Sequence, residues 1–219
     1  MIEIKNLTIE YPLNNNKSFK ALSDISLKIN DYDHVALIGR NGSGKSTLLR
    51  SLAGVYRPSC GTIYLSGLPL TIFNISLGLE RDESGFNNAI IKGLYYGLTE
   101  QEVRKGINKI KSFAELGDFL YQPVRVYSAG MRARLAFSIL TIINREIYLV
   151  DEVIGVGDKF FKNKAKDLIK AKAKKCKNFI LASHADQLIK EFCNKGLWLE
   201  KGKIKMYDSI DKVLSAYNK

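Results

Sequence analysis

The chain opens on an alternation of apolar and polar residues that runs almost unbroken through Ile2, Ile4, Leu7 and Ile9 to Tyr11. Residues two apart share one face of a strand, so this segment predicts a half-buried β-strand. Pro12 and the Asn14-Asn15-Asn16 run then mark a turn. A second alternation at Ile25, Leu27 and Ile29 leads into Val35-Ala36-Leu37-Ile38, a short apolar run closed by glycine, as expected of a strand buried on both faces. Behind a glycine-rich loop, Leu48, Leu49 and Leu52 fall on one side of a helix that Gly54 and Pro58 stop. Between about 85 and 145 helical spacing takes over. There Thr99 and Glu102 make a capping box, and Val103, Ile107, Ile110 and Ala114 follow on one helical face. Ile147-Tyr148-Leu149-Val150 and Phe179-Ile180-Leu181-Ala182 predict two more buried strands, with a helical stretch from about 159 to 175 between them. A hairpin turning at Lys201-Gly202 and a short helix over 209–217 complete the pattern. The expectation is an α/β fold, a single domain over 1–219 with 1–84 and 146–219 as the core and about 85–145 as an inserted helical lobe.

Composition narrows this only a little. A chain of 219 residues with 46% hydrophobic and 26% charged residues excludes disordered, collagenous and coiled-coil classes. No apolar run approaches the ~18 residues needed to span a bilayer, and the start lacks the basic and apolar regions of a secretory signal. Three widely spaced cysteines, with no C-x-x-C pair, point to reduced thiols in a cytosolic setting rather than a disulfide frame or a zinc site. The net charge of +12 first suggests nucleic acid or an anionic membrane. Nine lysines and one aspartate between 159 and 177 carry +8 of it, however. Phe161, Ala165 and Leu168 give that stretch an apolar face, so its lysines read as the solvated side of one packed helix; anionic lipid or acidic polymer is the alternative. No nucleic-acid partner is expected.

The chemistry starts at Gly39-Arg40-Asn41-Gly42-Ser43-Gly44-Lys45-Ser46, which fits G-x-x-x-x-G-K-[ST] between a buried strand and a helix. Glycines let backbone N–H groups close around phosphate oxygens, and the helix N-terminus adds positive potential. Lys45 would reach the β and γ phosphates and Ser46 would offer a hydroxyl to Mg²⁺, with Thr47 following in the helix. The apolar strand at 147–150 ends in Asp151-Glu152. Asp151 would hold the Mg²⁺ shell and Glu152 would take a proton from an attacking water. Neither Asn163-Lys164-Ala165-Lys166 nor Asn194-Lys195-Gly196-Leu197 supplies the aspartate of a guanine-reading N-K-x-D segment, so adenine is expected. On these two motifs alone a small-molecule kinase stays open.

Tyr127-Ser128-Ala129-Gly130-Met131, followed by Arg132-Ala133-Arg134-Leu135-Ala136-Phe137, separates the readings. Ser128 is a good N-cap and Gly130 permits close backbone approach, so this helix start suits a second phosphate contact. The segment resembles the signature motif of ABC-type ATPases, in the form found in exporters of cell-surface polysaccharides such as O-antigen, capsule and teichoic acid. The resemblance runs from Tyr11 to His184. It implies Tyr11 as the adenine-stacking aromatic, although packing alone also explains a strand tyrosine, and His184, after Ala182-Ser183, as the residue sensing the γ-phosphate. It implies that Gly155–Asp158 form the loop crossing a dimer interface. The usual glutamine before the helical lobe is missing, and Glu80, in Gly78-Leu79-Glu80-Arg81-Asp82, stands at that place as a candidate Mg²⁺ contact or a solvated turn.

What the resemblance implies is an ATPase using ATP and Mg²⁺ as a head-to-tail homodimer. Each site would combine one copy's Lys45, Ser46, Asp151, Glu152 and His184 with Ser128 and Gly130 of the other. Membrane-spanning permease subunits would couple the pair to export of a lipid-linked polysaccharide of O-antigen or capsule type from the cytoplasmic face, with a teichoic-acid exporter as the alternative. Ending at Lys219 just past the cassette, the chain is expected not to read the sugar itself. A non-transport ABC protein is the rival reading, without the second cassette or the long coiled coil of ribosomal and DNA-repair members.

Overall fold

The computed structural model describes residues 1–13, 18–73, 78–151 and 159–218. In chain order the elements are β1 (Ile2–Pro12), β2 (Ser18–Ile29), β3 (His34–Ile38), α1 (Lys45–Leu52), β4 (Cys60–Leu65), β5 (Pro69–Ile72), α2 (Gly85–Tyr95), α3 (Glu100–Ala114), α4 (Ala129–Ile139), β6 (Ile147–Asp151), α5 (Lys159–Ala173), β7 (Asn178–Ala182), α6 (Asp186–Phe192), β8 (Lys195–Glu200), β9 (Lys203–Ser209) and α7 (Ile210–Tyr217). They gather into two compact units. The first comprises Met1–Phe73, Arg145–Glu152 and Ala173–Lys219; the second comprises Asn74–Asn144 and Val153–Lys172.

In the first unit, β1 is the middle strand of an antiparallel sheet ordered β2-β1-β4, and its alternation is what the sequence predicts: Ile2, Ile4, Leu7 and Ile9 are buried. A second sheet runs β5-β6-β7-β3-β8-β9, parallel except for the last pair. Its central strands read as continuous apolar runs because both of their faces are covered, and every residue of β7 is buried. Leu48, Leu49 and Leu52 of α1 join this core. Strands β4 and β5 and helix α6 lie outside the predicted pattern. β4 keeps mostly exposed side chains, and only Ile63 and Leu65, both half-buried, turn toward the core, an alternation too short for periodicity to find. Its presence depends on pairing with β1 and on Gly61, where a Cβ would sit 2.3 Å from the Lys5 carbonyl oxygen.

The second unit is helical. The Thr99/Glu102 capping box forms, with the Thr99 N–H donating to Glu102 Oε2 over 2.7 Å, and Val103, Ile110 and Ala114 are fully buried behind it. This unit also takes in most of α5, which the sequence assigned to the core. Phe161 explains why: its ring meets Phe113 and Phe137 edge-on at 5.7 and 5.8 Å. The buried face of α5 is Phe161, Ala165 and Ile169, while Leu168 is only half-buried.

Two of the α5 lysines depart from the expected solvated face. Lys164 Nζ donates to the carbonyls of Ser112 and Phe113 and to Glu115 Oε1 at the C-terminal end of α3. Lys172 is buried and donates to the Ile143 carbonyl and to Asn144 Oδ1. Both satisfy carbonyls that the end of a helical stretch leaves without helical partners. No helix among the described residues is long and apolar enough to cross a membrane.

Candidate functional site

The buried strand β3 ends in a loop that only glycine builds without strain. Gly39, Gly42 and Gly44 have φ of 150°, 78° and 106°, a region L-residues avoid. At Gly39 a Cβ would lie 2.3 Å from the carbonyl oxygen of Leu199 in β8. At Gly44 it would lie 2.7 Å from Leu22 Cδ2. The Ser43 N–H closes the loop on the Arg40 carbonyl at 3.1 Å, and Gly44 stands as the N-cap of α1 with no side chain to occupy its first amides. Those amides and the helix dipole are therefore available to an anion.

Lys45 and Ser43 add the charge and the donor. Lys45 is almost fully buried, and its Nζ curls back to donate to the Gly39 and Arg40 carbonyls at 2.6 and 3.1 Å. Ser43 Oγ is buried and has no hydrogen-bond partner among the described residues. An orphaned hydroxyl, a helix N-terminus and a lysine around one concavity make a donor set suited to phosphate.

The β6-β7-β3 order puts three strand ends side by side. Asp151 is in register with Ala182, and Ala182 with Leu37, two residues before Gly39. Hence Asp151, Ser183 and His184 border the phosphate loop at the carboxyl end of the parallel sheet, where ligands of open α/β sheets bind. The cleft they enclose measures about 420 Å³. Asn41 through Thr47 form its floor, including Ser46, and Tyr11 lies at its edge. Asp151 is half-buried and His184 exposed. Glu152 and the loop to Asp158 lie outside the described residues.

Tyr11 pairs across the strands with Phe19, which also lines the cleft together with Ala21. Neither was singled out in the sequence, because the register that brings β2 beside Tyr11 follows a polar stretch with no pattern. Gly202 was seen only as a turn. With φ of 48° at Lys201 and 75° at Gly202, that turn lets the Gly202 N–H donate to the Ser43 carbonyl at 3.1 Å while its own carbonyl accepts from Ser23. The β8-β9 hairpin thus braces the phosphate loop from behind.

The remaining predicted residues lie in the second unit. Ser128 is the N-cap of α4, its hydroxyl accepting from the Met131 N–H at 3.2 Å, and a Cβ at Gly130 would meet nothing closer than 3.8 Å. Buried Tyr127 anchors the segment: its hydroxyl donates to the Phe119 carbonyl, and burial pushes its pKa up. Arg132 Nη1 donates to the Tyr127 carbonyl at 2.7 Å. Glu80 is exposed, and its backbone is clamped by fully buried Asn88, whose Oδ1 accepts from the Glu80 N–H at 2.7 Å and whose Nδ2 donates back to the Glu80 carbonyl at 2.9 Å. An asparagine among the apolar positions of α2 is the signal by which Asn88 could have been found.

Comparison with known proteins follows the same lines. Residues 22–155 match the family described as ABC transporter. The teichoic acids export ATP-binding protein TagH of Staphylococcus saprophyticus is 40% identical over 208 residues, which cover 95% of this chain and 78% of that protein. TagH of Staphylococcus epidermidis is 39% identical, with 99% and 87% covered. TagH of Bacillus anthracis is 38% identical over 90% of this chain but only 36% of its own length. Among solved structures, the dimeric post-hydrolysis state of the ATP-binding cassette MJ0796 bound to ADP and Pi aligns with a TM-score of 0.77 at 21% identity, covering 96% of this chain and 99% of that one. The ATP-binding subunit of an ABC transporter aligns at 0.80 and 21% identity over 100% and 93%. At that identity the likeness is one of fold.

Proposed function

The chain belongs to the ABC transporter family, and on that premise we propose that it is the ATP-hydrolysing subunit of an exporter for a teichoic-acid-type cell-surface polymer, both units forming one nucleotide-binding domain. The observation that carries this reading is an intact phosphate cleft in a chain 38 to 40% identical to three proteins named for teichoic acid export. Teichoic acid was the alternative left by the sequence, and it displaces the O-antigen and capsule form of the expectation, which those three names do not carry.

In this reading ATP occupies the cleft with adenine against Tyr11. Amides of Gly39 through Gly44, with Asn41, Ser43 and Thr47, surround the phosphates, and Lys45 exchanges its loop carbonyls for phosphate oxygens. Ser46 and Asp151 would hold Mg²⁺, with Glu80 as a further candidate; the ion supplies charge neutralisation at the transferring phosphoryl group. Glu152 would accept the proton of the attacking water, and His184 would contact the γ-phosphate side. Ser128 and Gly130 of a second copy would complete each site. ATP favours the closed pair and hydrolysis releases it, a population shift passed to permease subunits at the cytoplasmic face of the membrane.

Two measurements test the proposal. Glu152→Gln should keep ATP binding while hydrolysis falls at least about 100-fold, the span expected of a lost general base. Depleting the protein in its host should remove teichoic acid from the cell surface and leave its lipid-linked precursor inside. Loss of some other polymer, with teichoic acid unchanged, would reject the substrate while leaving the ATPase intact.

A further inference from the structure

We propose that Tyr56 is a positioning residue for the adenine base: together with Arg50 it fixes the ring of Tyr11 at the edge of the nucleotide cleft. The inference rests on the reading of Tyr11 as the base platform. It starts from a problem that this platform faces. Tyr11 is the penultimate residue of β1 and only half-buried, so its backbone does not determine where its ring stands. A stacking surface that swings would surrender the orientation that stacking requires.

The structure answers with a second ring. Tyr56 meets Tyr11 edge-on, with centroids 5.5 Å apart and planes at 82°. That is the arrangement in which the positive edge of one aromatic faces the negative face of the other. Tyr56 is itself tethered, because Arg50 Nη1 donates to its hydroxyl at 3.1 Å. Gly54, at φ of 74°, turns the chain after α1 so that the Val55 N–H returns to the Arg50 carbonyl at 2.9 Å, which brings Tyr56 back beside the helix it has just left.

The two phenols are close enough for each to bear on the other's pKa. The Arg50 hydrogen bond, followed by one from Tyr11, draws the Tyr56 hydroxyl down, while burial is the main cause that raises Tyr11 and a Thr47 hydrogen bond opposes it. Thr47 and Arg50 both belong to α1, the helix whose N-terminus closes the phosphate loop. One rigid element therefore sets both the phosphate grip and the aromatic platform, and the distance between base and phosphates is fixed by α1 rather than by β1.

Tyr56 does not line the nucleotide cleft; it borders a separate groove of about 850 Å³ behind α1. Its effect on nucleotide binding must therefore pass through Tyr11, and it must vanish for a ligand with no base. Inorganic tripolyphosphate is that ligand. By calorimetry, Tyr56→Leu should weaken ATP binding about 2- to 10-fold, the span expected for losing an edge-on aromatic pair, and should leave tripolyphosphate binding unchanged. Tyr56→Phe, which keeps the ring and loses the Arg50 tether together with the Tyr11 hydrogen bond, should weaken ATP binding less. Tyr11→Ala should weaken ATP alone, and adding Tyr56→Leu to it should change nothing further.

Parallel losses for ATP and tripolyphosphate would show that Tyr56 merely supports the fold, and would overturn the proposal. So would additive losses in the double variant. If Tyr11→Ala weakens ATP but Tyr56→Leu does not, positioning fails and the platform stands. If Tyr11→Ala has no effect on ATP, the platform itself is wrong and the proposal goes with it.

Discussion

Burying a hydroxyl without a partner costs about 1–3 kcal/mol, and Ser43 Oγ is in that state at the floor of the cleft. The cost makes sense if the hydroxyl is held ready for a phosphate oxygen. It follows that Ser43→Ala should leave the stability of the free protein unchanged or raise it by up to about 1 kcal/mol, while ATP affinity falls about 10-fold. Urea midpoints and calorimetry check the two halves; a clear loss of stability in the free protein would mean that Ser43 has a structural partner instead. This is also the scale at which the sequence is most readable. The phosphate loop is a local motif whose glycines, lysine and hydroxyls each have a geometric task within eight residues, so Gly39 through Ser46 could be assigned roles before any fold was known. Phe19 and Gly202 could not, because their part in the site depends on contacts across strands far apart in the chain.

Among the elements, α5 shows where a charge pattern stops being informative. Its lysines read as a uniform basic stripe, and the apolar positions beneath them were found nearly as the structure has them. Which lysines carry structure depends on where α3 and the turn that follows α4 end, and those carbonyls lie some thirty to fifty positions away. Lys164 bonds Ser112, Phe113 and Glu115, whereas Lys162 two positions earlier is exposed. Lys164→Ala should therefore cost about 1–2 kcal/mol in urea unfolding, and Lys162→Ala should stay within about 0.5 kcal/mol. Equal effects would restore the uniform solvated face. The same logic covers β4, β5 and α6. They lack a strong periodic face, and β4 and β5 are specified by strand pairing, whereas the continuous apolar runs of β3, β6 and β7, only five residues each, need no such help to be seen.

For the whole molecule, the sequence carries a motif that one chain is not expected to use alone. Ser128 caps α4 in the second unit while the phosphate loop and Asp151 lie in the first, and the head-to-tail reading joins them across two copies. A two-fold pair brings residue i of one chain to residue j of the other and j to i, so two different defects can complement. Lys45→Ala removes the phosphate lysine and Ser128→Arg blocks the signature helix start, and each homodimer should be inactive. Mixed in equal amounts, half of the dimers should be hybrids, each holding one site built from the intact Lys45 of one chain and the intact Ser128 of the other. ATPase activity should then recover to about a quarter of the parent level, one intact site in half of the pairs. Recovery that follows total protein concentration, as dimerisation demands, would distinguish this from slow turnover by either variant alone. No recovery at any ratio would mean that each chain builds its own site, and the ATP-driven closure proposed to move the permease would lose its basis.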